Sequence, residues 1–163
     1  MKDIQFIAEL RKNARKSLTT ISRKTQIPIS TLFDRLKHHE KSFIIKHTTL
    51  LDFNKLGYGC VAMVVLKVDK EHRDAMRKAL LAHDSVNSVY RINNGYDYLL
   101  EAVFHNVKEL EEFLEELESK FLIVEKKTFY IIEHLARELF MNASWKTAKD
   151  DANGQGTIQL HTI

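Results

Sequence analysis

The sequence predicts an α+β chain in two parts: an N-terminal helix-turn-helix with a wing, and a C-terminal β-α-β-β-α-β domain. Three observations predict it. The first fifty residues hold three short amphipathic segments, with a joint of only about three residues, Gln26 to Pro28, between the second and third. Residues 56–140 alternate strand and helix signals in a doubled β-α-β order. Charge divides at the same place. Residues 1–50 carry eleven Lys or Arg against four acids, net +7; residues 51–163 carry fourteen against eighteen, net −4. The boundaries expected are 1–49 for the helical domain, 50–58 for a linker, 59–140 for the second domain and 141–163 for a tail.

The first helix is expected from about Asp3 to Asn13, with Ile4, Ile7, Ala8 and Leu10 apolar. The second starts after Ser17, whose hydroxyl makes a good N-cap, and carries Leu18 and Ile21. The third follows Pro28, whose missing N–H costs nothing in a first helical turn. Its apolar positions, Ile29, Leu32, Phe33 and Leu36, fall at i, i+3, i+4 and i+7, one buried stripe. Ser30, Thr31, Asp34, Arg35, Lys37 and His38 then face away from the core. Phe43 to Leu50 reads as a strand or wing.

In the second half, Gly59–Val68 reads as a strand and Glu71–Ala82 as a helix with Ala75, Ala79 and Leu80 inward. A strand over Val86–Ile92 leads into Asn93-Asn94-Gly95-Tyr96, which is turn chemistry, with Gly95 free to take positive φ. Tyr98–Phe104 is a strand, and Val107–Leu117 a helix with Leu110, Phe113, Leu114 and Leu117 on one face. Val124–Ile132 closes the order as a strand. This is the ferredoxin-like arrangement, in which strands one and three are central and both helices cover one sheet face. Strand one, Cys60 to Leu66, is apolar without alternation, as when both faces are buried. A second copy of the chain would cover the open face; the N-terminal module or the tail is the alternative.

Composition excludes several classes. The 163 residues are 44% apolar and 29% charged, which is ordinary globular composition. No apolar run approaches the ~18 residues of a bilayer span, and the N-terminus shows no signal core. The single Cys60 rules out an intrachain disulfide or a Cys-only zinc site. A cytoplasmic protein without membrane partner, cofactor or metal is expected. GxGxxG, Walker, nucleophile-elbow and HExxH motifs are absent, and no catalytic residues are expected. The eight histidines show no ligand spacing, Cys60 reads as a small core residue, and Glu109 to Glu118 as a solvated helix face.

A short-jointed helix pair with a polar, basic outer face suits double-stranded DNA. One helix fills the major groove, and short hydroxyl, Arg and His side chains reach base edges. Ser30, Thr31, Asp34, Arg35 and His38 are the expected base readers. Lys12, Arg15, Lys16, Arg23 and Lys24 would lie against phosphates, and Ser17 and Lys37 are further DNA-binding candidates. An ordinary three-helix bundle used only for packing is the other reading.

The chain resembles the Lrp/AsnC, or feast/famine, family of prokaryotic transcription regulators over about residues 3–140. The resemblance rests on Arg15-Lys16-Ser17-Leu18, on Ser30-Thr31-Leu32-Phe33-Asp34-Arg35-Leu36, on Phe53-Asn54-Lys55-Leu56-Gly57, and above all on Asn94-Gly95-Tyr96-Asp97-Tyr98-Leu99-Leu100. It implies a winged helix-turn-helix tethered to a ferredoxin-like sensing domain. It also implies dimers that often build tetramers or octamers, and amino-acid effectors bound between subunits near the strand two–three turn. Here that turn is Asn94, Gly95, Tyr96 and Asp97. Its amides could hold a carboxylate and Asp97 an ammonium, or these residues simply build the turn. The chain departs from the family where Gln26 replaces a usual Gly, Pro28 a Ser, His39 a Leu and Phe43 a Gly.

Two rivals share the resemblance. One is a sensor subunit that pairs with related regulators and binds DNA weakly itself. The other is a sirohaem-decarboxylase-like enzyme of the same two-domain fold, whose substrate residues only Tyr90 and Arg91 resemble. In the tail, Thr157 to Ile163 alternates like a strand, with disorder as the alternative.

Overall fold

The computed structural model describes residues 2–141. They form two units, residues 2–49 together with 135–141, and residues 50–134. Residues 135–140, assigned to the sheet domain on sequence grounds, therefore group with the helices. The strand-like stretch 157–163 lies outside the described residues.

The helical unit consists of α1 (Lys2–Lys12), α2 (Leu18–Thr25) and α3 (Ile29–Ser42). Its core is Phe6, Leu10, Ile21, Ile27 and Leu32, with Ile7, Leu18, Leu36 and Ile44 packed around them. Phe6 is fully buried, although the apolar reading of α1 passed over it. Ser17 caps α2 as expected, its side chain accepting from the Thr20 N–H at 3.2 Å. Gln26 then ends α2 in the left-handed region, φ 56° and ψ 33°. Its side-chain amide donates to the Arg23 carbonyl at 2.8 Å, which helps hold a conformation glycine would take without cost. Pro28 is the N-cap of α3 rather than a first-turn residue, and its carbonyl accepts from the Leu32 N–H at 3.0 Å.

Two further expectations fail in this unit. The inward row of α3 is Leu32, Leu36 and His39; Ile29 and Phe33 are each 48% exposed. The row is still spaced i, i+4, i+7, but a buried imidazole continues it where the apolar count stopped. The His39 ring lies 4.4 Å from that of Phe43 and 6.0 Å from that of Phe6. Residues 43–50 form no strand. Among the described residues all four strands belong to the other unit, so this segment has no ladder to join. Ile44 instead packs on the helical core, and Ile45 is 97% exposed.

The second unit is the ferredoxin-like fold. Its elements are β1 (Cys60–Val68), α4 (Arg73–Ala82), β2 (Val86–Arg91), β3 (Tyr98–Phe104), α5 (Val107–Lys120) and β4 (Ile123–Tyr130). The sheet order is β2-β3-β1-β4 with every pair antiparallel, so β1 and β3 are central as the sequence predicts. Cys60, Ala62, Val64, Leu66 and Val68 of β1 and Tyr98, Leu100, Ala102 and Phe104 of β3 share one core with both helices. Burial holds the Cys60 thiol and the Tyr98 phenol above their ordinary pKa values. Leu110, Phe113, Leu114 and Leu117 of α5 point into that core as expected. For α4 the inward pair is Met76 and Leu80; Ala75 is exposed and Ala79 only half-buried. The helix begins two residues later than predicted, after a 3-10 turn over Lys70–His72, and the larger side chain fills the space.

The opposite sheet face carries the alternate residues. Met63 pairs with Glu101 and Phe129, and Val65 with Leu99 and Lys127. Neither helix covers this face, and Phe129 and Tyr90 remain more than half exposed on it.

Candidate functional site

All of the predicted DNA-facing residues lie in the helical unit, and most of them are exposed. Ser30, Asp34, Lys37 and His38 are exposed on α3, and Thr31 is half-buried. Arg15 and Arg23 are exposed on the joint before α2 and on α2 itself. Ser17 is occupied by its cap.

Three of the basic residues are held within the domain. Lys16 donates to Glu9 at 2.7 Å and Lys24 pairs with the same carboxylate at 2.6 Å. The Glu9 side chain is 8% exposed. Burial pushes its carboxyl upward, but the hydrogen bonds and charges of the two lysines outweigh that and hold it below the usual carboxylate value. Arg35 does not project with the other polar side chains of α3. Its guanidinium reaches Asp3 of α1 at 2.9 Å, bracing the two helices. The helical period places Arg35 next to the inward row, a position that counting apolar residues alone did not reveal.

Two apolar residues of α3, Ile29 and Phe33, are also exposed, and Lys37 Nζ stands 4.5 Å from the Phe33 ring centroid. Sequence reasoning placed both in the core; only their half-exposed positions reveal them.

The second candidate region is the turn between β2 and β3. Asn94 and Gly95 both take positive φ, 61° and 85°. The Asp97 carboxylate accepts from the Val68 N–H at 2.8 Å and pairs with Arg73 at 2.8 Å; its side chain is 12% exposed. Its own N–H donates to the Leu66 carbonyl. Both carboxylate oxygens are thus engaged in fixing the turn to β1 and α4. The Tyr96 hydroxyl donates to Glu125, and Lys127 Nζ lies 5.0 Å from the Tyr96 ring. The Tyr96 hydroxyl, with Lys127, holds the Glu125 carboxyl below its ordinary value. Arg73, Glu125 and Lys127 are partners that the sequence could not indicate, since each lies more than twenty residues from the turn and is joined to it only by sheet and helix packing. Among the described residues no group of three or more His, Cys, Asp or Glu side chains could hold a metal, and no helix is long and apolar enough to cross a membrane.

Comparison with known proteins gives this geometry a context. Residues 61–138 match the Lrp/AsnC ligand binding domain. The HTH-type transcriptional regulator FL11 of Pyrococcus abyssi is 28% identical over 114 residues, 69% of this chain and 76% of that protein. A second, uncharacterised HTH-type regulator of the same organism is 25% identical over 139 residues, 85% of this chain and 94% of its own length. Among solved structures, the fold matches that of a Neisseria meningitidis transcriptional regulator in complex with L-Met, at a TM-score of 0.76 and 19% identity, covering 83% of this chain and 91% of that one. It matches B. subtilis LrpC at 0.75 and 22%, covering 83% and 96%. The family match lies on the ferredoxin-like unit, and the 139 residues matched by the second regulator reach beyond that unit. Residues 61–138 thus carry the likeness to the Lrp/AsnC ligand binding domain.

Proposed function

We propose that this protein is a sequence-specific, DNA-binding transcription regulator that assembles through its sheet domain and responds to a small effector such as an amino acid. The observation that carries the reading is the outer face of α3. A helix with a short joint behind it presents Ser30, Asp34, Lys37 and His38 to solvent, and Arg15 and Arg23 are exposed in the same unit. Hydroxyl, carboxylate and imidazole groups read base edges, and the cations grip phosphates. Thr31 is a further, half-buried reader.

Lys16 and Lys24 contribute charge from fixed positions on Glu9. Arg35 serves as a brace between α1 and α3. Two modules per dimer call for a roughly palindromic operator with half-sites about 10 bp, or a multiple of that, apart. The effector region proposed is the turn Asn94, Gly95, Tyr96 and Asp97, with Asp97 as its frame and Tyr96, Glu125 and Lys127 at its rim. An effector bound there must differ in affinity between the states that bind and release DNA.

The experiment is selection from random duplexes with the purified protein, repeated across salt concentrations. A selected palindrome with a steep salt slope, about 0.9 per neutralised phosphate, is the expected result. Absence of any enriched sequence would overturn the reading in favour of a sensor subunit that binds DNA poorly.

A further inference from the structure

Ile29 and Phe33 sit one turn apart on α3, and each leaves 48% of its surface open to solvent. Lys37, one turn further, lays its ammonium over the Phe33 ring at 4.5 Å. The three form a row at i, i+4, i+8 that adjoins the polar row Ser30, Asp34 and Lys41. Two large, half-exposed apolar side chains beside the exposed Ser30, Asp34, Lys37 and Lys41 fit an occupant that is apolar at that spot and anionic around it. Duplex DNA meets both needs. The thymine C5-methyl is the apolar feature of the major-groove edge, and phosphates flank it.

We infer that Phe33, supported by Ile29, reads thymine methyl groups, so that the operator half-site carries thymine opposite the N-terminal two turns of α3. The cation over the ring adds to this. Lys37 holds the Phe33 face in place and brings positive charge to the groove without covering the ring edge. The inference rests on the DNA-binding reading and deepens it from "a duplex" to a duplex with methyl groups at defined positions.

The test uses the duplex selected by the full-length protein and the same duplex with each thymine replaced in turn by deoxyuridine, which lacks only the methyl. Loss of one buried methyl should weaken binding roughly three- to five-fold at one or two positions per half-site. Phe33→Ala should bind the thymine duplex more weakly by a similar factor and lose its sensitivity to deoxyuridine there. Phe33→Leu should keep part of that sensitivity. Equal binding of both duplexes by the unmodified protein would overturn the inference and leave the DNA-binding reading intact. Deoxyuridine sensitivity that persists unchanged in Phe33→Ala would assign the methyl contact to another residue and overturn it as well. A change of oligomeric state in Phe33→Ala, with DNA contacts unaltered, would show that a second copy covers this row instead. Failure to select any duplex would remove the function and the inference together.

Discussion

The Glu9 carboxylate, 8% exposed, holds Lys24 at 2.6 Å, and its second oxygen holds Lys16 at 2.7 Å. One buried anion on α1 therefore fixes two cations around the start and end of α2. Its role is positional: it sets where positive charge stands on the proposed DNA-binding unit.

Glu9→Gln should destabilise the helical unit by about 1–2 kcal/mol, between the values for exposed and fully buried pairs. The effect should depend on pH in a defined direction. The folded-state pKa lies below the ordinary value of 4.5, so the carboxylate contributes stability that is fully present above the unfolded value. That contribution is lost as pH falls through the depressed folded value. Urea unfolding of both proteins at pH 7 and at steps below pH 4.5 checks this. The difference between them should shrink on acidification; a difference that grows would refute the assigned sign.

Arg35→Ala should lower stability rather than relax sequence preference. The guanidinium spans from α3 to Asp3 at 2.9 Å and is 28% exposed, so loss of the pair and of stem packing should cost about 0.5–1 kcal/mol. DNA affinity should fall by the same factor for the selected duplex and for a scrambled one. A changed base preference at one operator position would return Arg35 to the base-reading set.

The contrast between Arg35 and its neighbours shows what a sequence can and cannot disclose. The order of strands and helices from Cys60 to Tyr130 was legible because the apolar runs, the Asn94-Gly95 turn and the helical spacing of Leu110, Phe113, Leu114 and Leu117 all agree locally. Helix existence was also legible in the first fifty residues. Which face of α3 turns inward was not. Ile29 and Phe33 look like core residues, and His39 does not, until Phe6 and Phe43 are seen around the imidazole. Apolar residues of 43–50 suggested a strand, but a strand exists only where another chain segment pairs with it, and that information is not local. The rim of the turn was illegible for the same reason: Arg73 and Glu125 meet it only through the fold.

Asp97 offers a test of frame against ligand contact. Asp97→Ala leaves the Val68 N–H without its acceptor and Arg73 without its partner, and should cost the sheet domain about 2 kcal/mol. Asp97→Asn keeps a carbonyl for Val68 and should cost about half as much. Thermal unfolding of the two variants checks the ranking. Equal stability of Asp97→Ala and the unmodified protein, with loss of an effector response alone, would show that Asp97 serves the ligand and not the fold.

The open sheet face gives the last prediction. Met63 lies between Glu101 and Phe129 across the two central ladders, and Val65 between Leu99 and Lys127, on the side the helices leave uncovered. A two-fold interface places each of these residues in the contact twice. Met63→Glu should therefore introduce two charges beside the Glu101 of each protomer and remove the burial of two thioether side chains, weakening self-association by roughly 100-fold or more. Sedimentation equilibrium across a concentration series reads this directly. Leu81→Glu, a substitution of an exposed residue on the helical side, is the control and should leave the oligomeric state unchanged. If Met63→Glu associates as tightly as the unmodified protein, the sheet face is not the interface, and the assembly must be sought on the helical side of the domain.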